Sequence, residues 1–359
     1  MEVTPRHKTL AGATANVDVE KPRATGCSAP TEEEETISLD QLPKRLLWDV
    51  WELYCWNGFW YRPDHLMAAL AVRSRFRPRD DDVLLASSMK TGSTWLKALC
   101  HCILMSKKRK QSLKNSDIAV GAEQEDQPED PLTVKHPAHY AKTLEIRIYT
   151  ENPPPDLSVM ESPRLFHTHL PHSALPESIK ASPCKIVYIT RNPKDTLVSL
   201  WHFLNHRRSD EEGPFPFERA FESFCDGVSA FGPFFEHVLE YYRASLETPE
   251  KVLFLKYEDL KRDPRGQLKR LSSFLGRRLE EEEEEVEDIV WRSSLERLKS
   301  LEVNKNGVDP WVKFPYSAYF RKGVVGDWKS LFTAEMARRL DEITRTKLEG
   351  SGLDLGIDE

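Results

Sequence analysis

The chain has 359 residues, 39% hydrophobic and 10% aromatic, enough for one large α/β domain or two modest ones with a real core. Its formal charge of −7 is local. Residues 1–36 carry seven acidic and four basic side chains and Glu280–Glu285 adds six acids, so the remainder stands near +2. A near-neutral body argues against a nucleic-acid binder. No run reaches the roughly 18 apolar residues of a membrane span, and the N-terminus lacks the apolar stretch of a signal peptide. The six cysteines fit neither a disulfide framework nor a zinc site, so they read as small buried residues of a reducing compartment, and the cytoplasm is expected.

Residues 1–36 show no hydrophobic period and read as a disordered tail. Order is expected from about Ser38. An aromatic cluster from Trp48 to Tyr61 reads as core packing or as the wall of an apolar pocket, and apolar positions over 64–76 have helical spacing. Val83-Leu84-Leu85-Ala86 is then a buried strand, followed by the polar turn Ser87–Thr94 and a helix that runs to about Met105. Strand, tight turn and helix place backbone N–H groups and a helix N-terminus against an anion. Lys90 adds a point charge, Gly92 allows close approach, and Thr91, Ser93 and Thr94 add hydroxyls. The order is not that of a Walker A loop, where the lysine follows the last glycine.

Lys107 to Asp130 reads as a polar surface loop, and residues 131–162 as short elements. Leu165–Thr168 is strand-like and ends among His167, His169 and His172. Two histidines on one strand face raise a metal site, but no third local ligand supports it. Lys185–Thr190 is a β-branched strand that delivers Arg191 into a turn, with Asn192 or Asp195 capping the helix beyond. Arg191 suits a phosphate fork or a structural pair with Asp195. Helices are expected over 217–246, and Val252–Tyr257 is a third buried strand. Helices over 266–275 and 286–301 flank the acidic run, itself a solvated helix start. Arg321-Lys322-Gly323 is either a phosphate clamp or a basic surface loop, and 333–348 is a last helix before an unstructured end. Alternating strands and helices give a single α/β domain with a central, mostly parallel sheet flanked by helices. Its expected limits are 37–350, with flexible tails at 1–36 and 351–359.

Taken together, Lys90-Thr91-Gly92-Ser93-Thr94-Trp95, Thr168-His169-Leu170-Pro171, Arg191-Asn192-Pro193-Lys194-Asp195 through Ser199, Tyr257-Glu258-Asp259-Leu260 and Arg321-Lys322-Gly323 through Lys329 resemble the cytosolic sulfotransferase family, particularly its plant branch. The resemblance spans about residues 40–348. It implies a P-loop-like phosphosulfate-binding loop and an enzyme of the EC 2.8.2 class, which transfers a sulfuryl group from 3′-phosphoadenosine 5′-phosphosulfate (PAPS) to a hydroxyl, leaving PAP. Lys90, Thr91, Gly92, Ser93 and Thr94 would hold the 5′-phosphosulfate, with Lys90 also catalytic. Trp95 would stack on adenine, Tyr257 would line the nucleotide site, and Arg191, Ser199, Arg321, Lys322 and Gly323 would hold the 3′-phosphate. His169 would be the base, and no metal is implied.

Several positions depart from the family pattern. Met89 replaces the proline before the loop lysine, and Leu295 stands where many members place a phenylalanine against adenine. His167 replaces the lysine of animal members, and only part of the animal dimer motif survives at Lys329 and Thr333, so a monomer is expected. The resemblance implies a small hydroxylated metabolite of plant secondary metabolism as the acceptor, with flavonoid, steroid-like hormone, hydroxyjasmonate and desulfoglucosinolate all open. The alternative is a nucleoside or nucleotide kinase with a variant P-loop.

Overall fold

A computed structural model describes residues 37–117, 130–277, 279 and 283–357. The expected N-terminal tail, the middle of the loop expected after Met105 and the first half of the acidic run lie outside these residues.

The aromatic cluster forms an antiparallel meander, not predicted as strands: β1 (Lys44–Leu47), β2 (Trp51–Trp56) and β3 (Phe59–Tyr61). Asn57 and Gly58 both have positive φ, as a two-residue hairpin turn requires. The Pro63–Arg75 helix follows, and Phe231 N–H donates to Trp60 O at 2.7 Å, tying the meander to a later loop.

The central sheet contains β4 (Val83–Ser87), β5 (Lys142–Thr143), β6 (Leu165–Thr168), β7 (Lys185–Thr190) and β8 (Val252–Lys256) in the order β5-β6-β4-β7-β8, all parallel. Every residue of β4 is buried, as a strand covered on both faces must be. Leu84 and Ala86 pack with the Pro63–Arg75 helix and with Tyr241 and Ala244 of the Phe234–Glu247 helix. Val83 and Leu85 pack on the opposite face with Leu96, Leu99 and Ile103 of the Ser93–Asp117 helix and with Leu268, Leu271 and Ile289. The strand's period of two thus sorts its side chains into two helical layers. Connections from β4 lead first to β5 and β6 on one side and then to β7 and β8 on the other. The sheet therefore has a switch point at β4, where α/β sheets open a crevice beyond their carboxyl ends.

The helix after β4 continues to Asp117, past the expected end near Met105. The terminal segment was expected to be a flexible tail, but residues 354–357 are bonded into the domain. Asn192 Nδ2 donates to Gly356 O at 3.0 Å, Lys194 Nζ donates to Ile357 O at 3.1 Å, and Leu355 is buried. The sequence hid this because the contacts use backbone carbonyls, which carry no composition signal.

Candidate active site

The carboxyl ends of β4, β6, β7 and β8 deliver the loop after Ser87, His169, Arg191 and Tyr257 to one edge of the sheet. Two cavities open there. The first is lined by Lys90, Gly92, Ser93, Thr94, Trp95, Arg191, Ser199, Tyr257, Leu295, Arg321, Lys322 and Gly323, among others. It gathers every residue expected at the nucleotide except Thr91. That side chain is fully buried, and its hydroxyl donates to Ser88 O at 2.9 Å and to Ile189 O at 3.0 Å. Thr91 therefore fastens the loop to β7, and the hydroxyl donors left to the cavity are Ser93 and Thr94.

The loop's shape depends on backbone that side chains resist. Lys90 has φ +65° and Gly92 φ +113°, and a Cβ on Gly92 would lie 2.9 Å from Tyr257 Cδ2 and 3.1 Å from Ile189 Cδ1. Glycine alone fits that approach. Lys90 Nζ lies 3.9 Å from the Phe203 ring centroid and 5.3 Å from that of Tyr319. Burial, with Arg321 and Arg191 as neighbouring cations, lowers its pKa to about 7.

At the far end, Arg191 and Asp195 pair at 3.2 Å, and Arg191 Nη2 also donates to Val324 O at 2.6 Å. Both readings of Arg191 therefore coexist: it is paired, and it faces the cavity. Asp195 accepts from Gly326 N and Trp328 N, each at 2.9 Å, which binds the 326–328 loop to the Pro193–Asn205 helix. The helix cap is Asn192, whose Oδ1 accepts from Lys194 N at 3.0 Å. Asp327 pairs with both Arg321 and Lys322, at 2.5 and 2.7 Å. Arg191 Nε and Arg321 Nε are buried without a hydrogen-bond partner. Two guanidiniums held by carboxylates, each with an unsatisfied N–H, suit an incoming phosphate. Tyr257 OH donates to Gly323 O at 2.9 Å. Trp95 meets Tyr257 edge-on at 5.4 Å, and Leu295 borders the same cavity.

The second cavity shares Lys90, Ser93, Thr94, Phe203 and Tyr319 with the first. Leu47, Trp51, Leu53, Met89, Ile146, Leu204, Phe231, Val312 and Phe314 supply an apolar wall, and His169 faces it. His169 Nδ1 lies 2.8 Å from Ser87 O. A carbonyl can only accept, so Nδ1 carries the proton and Nε2 keeps its lone pair. Burial lowers the His169 pKa from 6.5 to about 3, so the ring is neutral. Its main chain is fixed too: His169 N donates to Glu145 Oε1 at 2.7 Å, and His237 Nε2 lies 2.9 Å from His169 O. Phe231, held at φ +61°, tilts against the His169 ring at 5.5 Å.

His167 is fully buried and spans Ser87 Oγ and Thr143 Oγ1, each at 3.0 Å. His172 packs edge-on against Tyr241. Sequence reading missed Glu145, Asp195 as a loop clamp, Phe231 and Asp327. Glu145 sits in an irregular segment and acts across 23 and 24 residues, and Asp195 acts across more than 130, which no local pattern reports. Asp327 pairs within its own loop, with Arg321 and Lys322.

A parallel sheet with an anion loop at its switch point, flanked by paired guanidiniums, defines a group-transfer enzyme of the nucleotide-binding α/β class. The comparisons agree and go further. A family profile described as "Sulfotransferase domain" matches residues 80–352. The chain is similar to cytosolic sulfotransferase 5 of Arabidopsis thaliana, 44% identical over 302 residues that cover 83% of this chain and 89% of the relative. It is also similar to cytosolic sulfotransferase 7 of the same plant, 44% identical over 328 residues covering 90% and 96%. Among solved structures, an Arabidopsis thaliana sulphotransferase superposes with a TM-score of 0.67 at 36% identity, covering 88% of this chain and 93% of that one. A mouse sulfotransferase complexed with PAP superposes with 0.62 at 26% identity, covering 83% and 95%. The chain belongs to the sulfotransferase family and groups with its plant cytosolic members. It is an EC 2.8.2 enzyme that transfers a sulfuryl group to a small acceptor.

Proposed function

We propose that the donor is PAPS, bound in the first cavity, and that the acceptor is a hydroxylated, largely apolar metabolite in the second. One observation carries this reading: the two cavities meet at Lys90, Ser93 and Thr94, with a correctly tautomerised His169 on the acceptor side. Lys90, Ser93, Thr94 and the N–H groups around Gly92 hold the 5′-phosphosulfate. Trp95 and Leu295 flank the adenine. Arg191, Ser199, Arg321, Lys322 and Gly323 hold the 3′-phosphate, with Tyr257 on the cavity wall between the two ends.

His169 Nε2 takes the proton of the acceptor hydroxyl as its oxygen bonds to sulfur. The bond from sulfur to the phosphate-bridging oxygen breaks, and Lys90 stabilises the charge that develops there. Holding both partners in line is the larger share of the work, as in phosphoryl transfer. With Lys90 and backbone donors doing the neutralising, the proposed reaction needs no metal. Flavonoid, steroid-like and other hydroxylated acceptors fit the apolar wall. The names of the relatives support the cytosol, the incomplete dimer motif supports a monomer, and the near-neutral charge of the body supports a small-molecule acceptor and not a nucleic acid. The sulfotransferase domain takes in residues 37–350, with the 351–357 segment built onto it.

The test is to incubate the protein with sulfur-labelled PAPS, EDTA and a panel of hydroxylated metabolites. Transfer of label to an acceptor supports the reading. Label that stays on the donor throughout, with phosphoryl transfer from ATP and Mg²⁺ in its place, overturns it.

A further inference from the structure

The acceptor cavity carries a charge that the reaction does not use. Besides Lys90, its lining includes Arg62, Lys97, Arg147 and Arg207, and among the described residues no carboxylate lines it. Three of these cations have strong partners. Arg62 forms a two-pronged pair with Asp64, at 3.1 and 3.0 Å. Arg147 pairs with buried Asp309, and Arg207 donates to Val312 O while lying over the Phe314 ring. Lys97 differs. It projects from the Ser93–Asp117 helix with 5% of its surface exposed. Among the described residues, its one hydrogen bond runs to Thr143 Oγ1, at 3.2 Å.

An ammonium has three donors, and one long bond to a hydroxyl leaves it poorly compensated in an apolar wall. Burial and the Arg147 charge drive its pKa well below 10.5, while Glu145 and Asp309 act the other way. Neither acid is available as a direct partner. Glu145 accepts from His169 N and from Thr168 Oγ1, and Asp309 is taken up by Arg147, Trp311 N and Tyr319 OH.

Resting on the proposed acceptor site, we infer that Lys97, with Thr143 beside it, is a specificity residue that receives a carboxylate carried by the acceptor away from its reacting hydroxyl. A monoanion matches one ammonium, Thr143 being already engaged by Lys97 and His167, whereas a phosphate dianion needs more donors than this corner offers. The acceptor class is therefore a hydroxylated carboxylic acid with an apolar body. An ester or a neutral analogue leaves Lys97 uncompensated, and this is how the pocket discriminates.

The experiment uses the full chain saturated with PAP, titrated calorimetrically with 12-hydroxydodecanoate and 3-(4-hydroxyphenyl)propanoate, each beside its methyl ester. The expected result is at least tenfold tighter binding of one acid over its ester, reduced to threefold or less in Lys97→Met and retained in Lys97→Arg. PAP affinity in the same runs reports folding and tests the donor site separately. Equal binding of acid and ester by the wild type, or no binding of either acid, overturns the inference even if no variant folds. An equal loss for acid and ester in Lys97→Met also overturns it, by assigning Lys97 to the general machinery.

Discussion

The two cavities are built on different principles. In the donor cavity the cations arrive already clamped: Arg191 by Asp195, and Arg321 and Lys322 by Asp327. Their geometry is set before the ligand arrives, and the unsatisfied Nε atoms mark where it goes. In the acceptor cavity the walls are apolar side chains from six separate stretches, and Lys97 is held by a hydroxyl alone. A fixed, charged site suits an invariant nucleotide, and an apolar site with one under-partnered cation suits a variable acceptor.

Substitutions at the junction should break this division most severely. Lys90→Met is expected to lower kcat by about 10²–10³, the usual scale for losing one group that stabilises developing charge. It should also change the pH dependence of PAP binding. In the empty site the Lys90 pKa is about 7, and a bound anion favours its protonated form. Affinity for PAP should therefore fall as pH rises above 7, by at most about tenfold per unit for one proton, and calorimetry of Lys90→Met should show that dependence flattened.

Next in size is Arg321→Ala. It removes one charged fork and releases Asp327, and PAP affinity should fall by about 10–100-fold, the scale of one charge-assisted hydrogen bond. Adenosine 5′-phosphosulfate, which lacks the 3′-phosphate, should lose far less. Equal losses for both would show that Arg321 supports the fold of the cavity and not that phosphate.

The smallest effect sharpens the comparison at its edge. Deleting residues 353–359 removes the carbonyl acceptors of Asn192 and Lys194 at the start of the Pro193–Asn205 helix. PAP affinity is expected to weaken by only about three- to tenfold, since each lost bond is worth about 1 kcal/mol. Acceptor KM should stay the same, and steady-state kinetics checks both.

The same contrast explains what the sequence disclosed. Much of the donor cavity was readable because Lys90, Arg191 and Tyr257 follow strand ends, where a buried apolar run stops at a cation or a small-residue turn: Ser87 to Lys90, Thr190 to Arg191, Lys256 to Tyr257. Lysine before glycine separated this loop from a Walker A loop. Thr91 was misplaced because a hydroxyl in a tight turn reads the same whether it faces a ligand or, as here, a neighbouring strand. The acceptor cavity was readable only as a set of unpatterned loops. Phe231 entered it through long-range packing, Lys97 lies one helical turn beyond Thr94 and was read only as part of an apolar helix face, and Glu145 reached His169 from an irregular segment that no periodicity marks. The meander was hidden because Trp48–Tyr61 reads as an aromatic cluster without alternation.

The central claim, that His169 is the base on the acceptor side of a donor site it does not help to build, is tested most directly by His169→Ala. Single-turnover transfer from saturating PAPS is compared with the calorimetric affinity for PAP in the same preparation. The account predicts that the transfer rate falls by about 10²–10⁴ while PAP affinity stays within about twofold. Loss of PAP affinity in parallel with the rate, or a transfer rate left near that of the wild type, would contradict it.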